Sequence, residues 1–423
     1  MTKALILLLF LAPTIQYRVE LGKFSFALME PVVLLVSAIL LAHQIVSQRR
    51  LVILKDPLVY LFTGMALWAL IILPWAPDWQ HGLSDVRDWL IPLVSFVALI
   101  SSIRHHWRKW LALFILLATI NASVGIYQHL AEAAGPFATE LAAYKTSFLL
   151  SPEQSRLAIA SPAIGFFSHP NGFAMYLFLA LLIVLGWTMK GWGRWTRLFL
   201  VLLLSAALFW TYAKASLLVM PFSIAGYWFI RRIKSWGQFL VVSAGLVFSA
   251  GMIAWFISQR VPLPYLATFW WRVNLWQTAL EVIRDSPGIL LVGNGMEAFA
   301  TQAIYPQPHS LYLYLLLAYG LPGIGLVLGM VWYLLGRGRA AHQCRLFHQE
   351  PVLSGLWIGL IGYFVIGLVE SNLMGIESRM IFSMMAACFI GLRREVRTES
   401  EAVIMGREAG TDAKGPITRP VSL

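Results

Sequence analysis

Long apolar runs alternate with short polar connections along most of the chain. The runs fall at roughly 4–15, 26–46, 57–75, 89–103, 110–130, 170–188, 196–212, 215–230, 237–257, 310–335, 352–371 and 376–392. Crossing ~30 Å of hydrocarbon takes about 20 apolar residues as a helix. The pattern therefore predicts an all-α polytopic membrane protein with about twelve transmembrane helices, of which the first and fourth runs are the shortest. No signal-cleavage pattern follows Ala4–Ile15, so that run is expected to be a retained span.

Composition agrees. The 423 residues are 59% hydrophobic and 12% charged, whereas soluble domains carry roughly 25% charged residues. The formal charge of +12 would suit a nucleic-acid partner if it formed a patch, but its placement argues otherwise. With the N-terminus inside and the runs alternating, 22 of the 32 Lys and Arg fall on inner connections or the C-terminal tail. This positive-inside bias places both termini in the cytoplasm. The outer connections include two long ones, about 131–169 and 259–308, and the second holds an amphipathic helix. Residues 1–392 read as one transmembrane domain. The tail 393–423, polar and of mixed charge, is expected to be a disordered cytoplasmic segment. Cys344 and Cys388 lack metal-ligand spacing, and neither a disulfide nor a metal site is expected.

Three side chains on the outer face carry candidate chemistry. Between the inner residues Arg197 and Arg231 lie 33 residues, about 25 Å of helix per arm, so the turn with Lys214 sits at or just below the outer interface. Lys214 is either a lysine snorkelling to headgroups or a cation in an outward-open cavity. Arg272 lies in "TFWWRVNLWQTALEVIRDSP". There Phe269, Trp276, Ala279, Leu280 and Ile283 cluster within about 80° on a helical wheel, and Asn274, Gln277, Glu281 and Asp285 lie opposite. Arg272 falls within the apolar face, so its guanidinium is expected to point into the protein. It needs an anion there, either a structural carboxylate such as Glu370 or a bound phosphate or carboxylate. His309 heads the apolar run in "PQPHSLYLYLLLAYGLPG", as a helix cap or as a base. An imidazole beside two cations is equipment for taking a proton from a hydroxyl while a pyrophosphate departs. In "SHPNGFA", Asn171 is expected near the N-cap of the next helix and His169 is a weaker donor-binding candidate. "GNGMEAF" at Gly293–Phe299 reads as a turn ending the amphipathic helix rather than a nucleotide loop.

The segments "NASVGIYQHL" (Asn121–Leu130), "GFFSHPNGFAMYL" (Gly165–Leu177), "YAKAS" (Tyr212–Ser216), "RVNLWQTALEVIRDSPGILLVGNGMEAF" (Arg272–Phe299) and "PHSLYLYLLLAYGLPG" (Pro308–Gly323) follow one another in an informative order. In that order they resemble the signatures of the O-antigen ligase and O-antigen polymerase superfamily of bacterial membrane glycosyltransferases. The resemblance spans about 121–379, roughly 60% of the chain. It implies a GT-C-like fold in the inner membrane. It also implies inverting transfer, at the periplasmic face, of a glycan from undecaprenyl pyrophosphate to an acceptor hydroxyl, without metal, nucleotide sugar or other cofactor. The acceptor is a lipid A core in a ligase, or a lipid-linked glycan of O-antigen or exopolysaccharide in a polymerase, which often works with a chain-length regulator. By resemblance His309 is the catalytic base or acceptor-orienting residue, and Arg272 and Lys214 bind pyrophosphate. His169, Asn171, Glu370 and Arg379 are secondary candidates. Lys214 stands where the family commonly has Arg, and Ser310 where an Asn commonly follows the histidine. Lysine at that place occurs in exopolysaccharide polymerase-like members, which leans the reading toward a polymerase.

Two rival readings keep the membrane and change the chemistry. A transporter or flippase of lipid-linked glycans would place ionisable groups near the midplane, where Glu30 and Asn121 are the obvious candidates. A scaffold of a polysaccharide assembly complex would tolerate replacement of His309.

Overall fold

A computed structural model describes residues 2–12, 18–21, 24–27, 29–48, 55–76, 78–102, 107–130, 162–167, 169–187, 193–232, 237–238, 263–303, 307–370 and 375–412. All but the first two residues of the expected run 237–257, most of the outer connection 131–169 and residues 413–423 lie outside the described residues. Every other apolar run coincides with a helix: Thr2–Leu11, Met29–Gln48, Pro57–Ile72, Trp79–Ser102, Trp107–Leu130, Pro170–Gly186, Arg194–Trp210, Lys214–Ile230, Leu311–Gln343, Pro351–Ile366 and Ile376–Asp412. Among the described residues the fold is all-α apart from one antiparallel hairpin, Arg18–Leu21 with Phe24–Ala27, which the apolar pattern does not announce.

The count of spans differs from expectation. Among the described residues three helices are long and apolar enough to cross a membrane: Pro57–Trp75, Trp107–Leu130 and Leu311–Gln343. Four apolar helices are shorter, at Glu30–His43, Pro170–Gly186, Lys214–Ile230 and Pro351–Ile366. Helix Pro170–Gly186, at 17 residues, is one of these and is deeply packed. Apart from Asn171, Gly172 and Leu185 it is buried throughout, so its apolar surface meets protein on every side, as in a central core helix. Its main partner is Pro351–Ile366, which turns Gly355, Gly359 and Gly362 toward it. A Cβ at Gly355 would strike Leu182 O, and one at Gly359 would lie 2.7 Å from Leu179 Cδ2. Small residues four apart let the two backbones approach this closely.

Helix Leu311–Gln343 is broken at Gly320, which has φ 64° and ψ −164°. Pro322 follows the break and has no N–H to donate. The carbonyls thus released all find new donors: Leu317 O accepts from Gly295 N at 2.7 Å, Ala318 O from Asn294 N at 3.2 Å and Tyr319 O from Trp68 Nε1 at 2.7 Å. Unsatisfied peptide groups in an apolar interior cost several kcal/mol each, so the "GNG" segment is part of the fold of this helix. It follows Leu263–Asp285 and the short helix Ile289–Val292, and so lies beyond the turn that ends the amphipathic helix.

Helix Ile376–Asp412 packs along Trp79–Ser102 and continues well past Leu392. The expectation of disorder from Arg393 is therefore corrected for 393–412, which is helical. A segment rich in Arg, Glu and Ala extends a helix already nucleated by its buried half, without a new nucleation cost.

Candidate functional site

Arg272, Asn171 and His309 are brought together by Glu370. Glu370 closes the turn after helix Pro351–Ile366, its N–H donating to Ile366 O at 3.0 Å, and it is 4% exposed. Its Oε1 accepts from Arg272 Nη2, and its Oε2 accepts from Asn171 Nδ2 at 2.8 Å and lies 3.4 Å from His309 Nδ1. Its own carbonyl accepts from Leu311 N at 3.2 Å. One carboxylate thereby ties the head of Leu311–Gln343 to the helices Leu263–Asp285 and Pro170–Gly186.

His309 sits in the left-handed region at φ 47°, a conformation that costs a non-glycine residue of order 1–3 kcal/mol and persists where surroundings impose it. The imposing contacts are the two bonds from Leu311 N, to Gly367 O at 2.8 Å and to Glu370 O. Trp271 covers the imidazole at 5.2 Å between ring centroids. Ser310 is the N-cap residue by backbone geometry, yet makes no side-chain cap bond.

Arg272 points into the protein as its wheel position requires, with its side chain 18% exposed. The buried face is centred differently from the expectation: Leu275, Ala279, Val282 and Ile283 are buried whereas Leu280 is 56% exposed. The structural carboxylate anticipated for Arg272 is indeed Glu370. Lys214 opens helix Lys214–Ile230 from an exposed position and lies within electrostatic reach of Arg272.

Asn171 lies near the N-cap as expected; the cap itself is His169, with Nδ1 accepting from Asn171 N at 3.1 Å, and this leaves the Asn171 amide to reach Glu370. Burial pushes the His169 imidazole down to about 4, against the pull of Glu370 and with help from His309. A neutral ring fits its acceptor role. For Glu370, burial pushes the carboxyl up, but the His309 contact and the Arg272 charge outweigh burial and hold it below the usual carboxylate range.

Arg379 belongs to another cluster. It is fully buried, its guanidinium carbon 4.3 Å from the Trp89 ring centroid, in the field of Asp85, Asp88, Tyr314 and Tyr319. Trp89 Nε1 donates to Tyr319 OH at 3.2 Å, so this cluster braces the segment just before the Gly320 break. Of the midplane candidates, Glu30 pairs with Arg87 at 3.3 Å. The Asn121 amide donates to Leu117 O at 2.9 Å and its oxygen accepts from Phe166 N at 3.1 Å.

Sequence reasoning named Glu370 as a possible ion partner of Arg272 and as a secondary site candidate, not as the centre of the cluster. Its hub role has no local signal, because its three side-chain partners lie 61, 98 and 199 positions away. Among the described residues no group of three or more His, Cys, Asp and Glu could hold a metal ion. No protein-family model matches the chain, and no curated protein matches its sequence.

Proposed function

We propose that the protein is a membrane glycosyltransferase that moves a glycan from undecaprenyl pyrophosphate to an acceptor hydroxyl. The observation that carries the reading is the convergence of His309, Arg272 and Asn171 on the buried Glu370 carboxylate, with Lys214 in the field of Arg272. In the tautomer with its proton on Nδ1, which faces Glu370 Oε2, His309 would present Nε2 as the base, the division of labour seen where a carboxylate orients a histidine. The acceptor oxygen attacks the anomeric carbon from the face opposite the leaving group, and its proton passes to Nε2. The bond from that carbon to the pyrophosphate oxygen breaks, its electron pair leaves with the pyrophosphate, and Arg272 and Lys214 stabilise the charge. Arg272 shares its guanidinium between Glu370 and the donor, five N–H groups being enough for both.

In this reading the shorter apolar helices complete a GT-C-like bundle in the inner membrane of a bacterium, with both termini cytoplasmic and the site periplasmic. The acceptor is a lipid A core or another lipid-linked glycan, and Lys214 favours the polymerase. Transport is disfavoured because both midplane candidates are engaged inside the protein, Glu30 with Arg87 and Asn121 with backbone.

The test uses purified protein with an undecaprenyl-pyrophosphate oligosaccharide and an acceptor. His309→Ala is expected to keep donor binding and lose transfer by roughly 100-fold or more, the scale of a general base. Arg272→Ala and Lys214→Ala are expected to lose donor binding. Transfer at the wild-type level in all three variants overturns the mechanism, and donor flux across vesicles without transfer revives the transporter.

A further inference from the structure

The basic end of the bundle holds a second set of ionisable groups that the proposed transfer does not use. Arg337 follows His309 by 28 positions, on the helix that starts at Leu311, about 40 Å of axial rise. There Asp56, the N-cap of Pro57–Ile72, is 1% exposed and fully engaged. Its Oδ1 accepts from Leu58 N at 3.1 Å, and its Oδ2 accepts from Tyr333 OH at 3.0 Å and Arg394 Nη2 at 2.9 Å. Arg337 lies over the Tyr333 ring, 4.8 Å from its centroid.

Arg393, the neighbour of Arg394, is the unexplained member. It is 7% exposed, yet among the described residues it forms no ion pair and its Nε meets no acceptor; the same holds for Arg337 Nε. Arg337 and Arg397 both lie in its field. The other carboxylate of this turn, Glu395, has contacts of its own. The guanidinium groups of Arg337, Arg393 and Arg394 thus gather about one carboxylate, Asp56, that is already occupied. Burying a cation beside like charges is costly unless an anion joins it. Guanidinium forks match the oxygens of a phosphate.

The position selects the kind of phosphate. Arg393 follows directly on the apolar run ending at Leu392, which is fully buried. Leu328 and Trp332, which precede Arg337 on its helix, are 49% and 79% exposed, an apolar outer surface with the aromatic ring typical of a membrane boundary. We propose that the ends of helices Pro57–Ile72, Leu311–Gln343 and Ile376–Asp412 form a site for a phosphate group, that of an anionic phospholipid headgroup, held by Arg393, Arg337 and Arg394.

The full chain purified in detergent is titrated with phosphatidylglycerol, phosphatidylcholine or inorganic phosphate, reading its melting temperature and, by native mass spectrometry, the lipid retained. Phosphatidylglycerol is expected to stabilise and to stay bound, and phosphatidylcholine to do neither. A basic side chain at a membrane surface gains roughly five-fold in affinity for anionic lipid. Arg393→Gln and Arg337→Gln should each weaken retention by about that factor, and the pair by about 25-fold. Arg393→Lys should be intermediate, and Arg339→Gln, on an exposed position of the same helix, should match wild type. If Arg393→Gln fails to fold, Arg337→Gln carries the test. Stabilisation by inorganic phosphate alone, with the same arginine dependence, keeps the phosphate site and overturns the lipid as its source. An effect of phosphatidylglycerol that is absent, or equal in wild type and both Gln variants, overturns the site.

Discussion

Glu370 and His169 are expected to make the Glu370 cluster acid-sensitive, and the signs of their contributions agree. Glu370 is held below its usual range in the fold, so its stabilisation is complete above the unfolded value near 4.5 and is lost as pH falls through the lower folded value. His169 is held near 4 against 6.5 unfolded, so between those values the unfolded chain binds a proton that the folded protein refuses. Stability therefore falls as pH drops from 6.5 to 4, by at most about 3 kcal/mol from His169. Melting temperatures in detergent are expected to decline across this window. His169→Asn keeps a cap acceptor and should flatten the decline, whereas Glu370→Gln should change only the more acidic limb. Coincident pH profiles for wild type and His169→Asn would rule out a buried neutral imidazole at the cap.

At the scale of elements, the broken helix Leu311–Gln343 and the "GNG" segment hold each other, and two glycines make the contact possible. Gly320 and Gly293 have φ of 64° and 83°. An added Cβ at Gly320 would lie 2.9 Å from Leu290 O, and one at Gly293 would collide with Ala318 O. Alanine at either position is expected to lower stability by well over ~1 kcal/mol. It should also reduce glycan transfer, because the same helix carries His309 at its head. Gly336, in open space on that helix, is the control: Gly336→Ala should leave both properties intact or stabilise slightly. If all three variants melt alike, the docked break is not a structural requirement. The tail belongs to this scale as well, since its composition suggested disorder and the preceding buried helix made it helical.

For the whole molecule, the proposed membrane arrangement places the two ends of Leu311–Gln343 in opposite compartments. Cys344 is exposed just after that helix, and Thr301 is exposed shortly before it. A membrane-impermeant maleimide is expected to label Cys344 only after the cytoplasmic side is opened. In a Cys344→Ser background, Thr301→Cys should label from outside intact cells. Labelling of both from one side would mean that the helix does not cross, and the separation of the outer cluster from the basic end would fail with it. The same inference rests on the charge bias, which is independent of any side-chain geometry.

Apolar runs and the distribution of Lys and Arg were legible in one dimension, because helix formation and membrane orientation depend on residues near in sequence. For that reason eleven of the twelve runs coincide with helices, although Trp79–Ser102, Leu311–Gln343 and Ile376–Asp412 extend beyond the runs that announced them. The inward direction of Arg272 was legible too, since a helical wheel needs only local spacing. What the pattern left open is which apolar helix meets lipid and which meets protein, and Pro170–Gly186 is buried only because the glycine face of Pro351–Ile366 lies against it. The candidate site divides in the same way. Its residue types were visible as Arg272, Lys214 and His309, but the choice of His169 over Asn171 as cap, the break at Gly320 and the gathering of three segments on Glu370 were settled by tertiary contact. Such contacts join residues dozens to hundreds of positions apart, and their energies come from burial and electrostatics that exist only after the helices have packed.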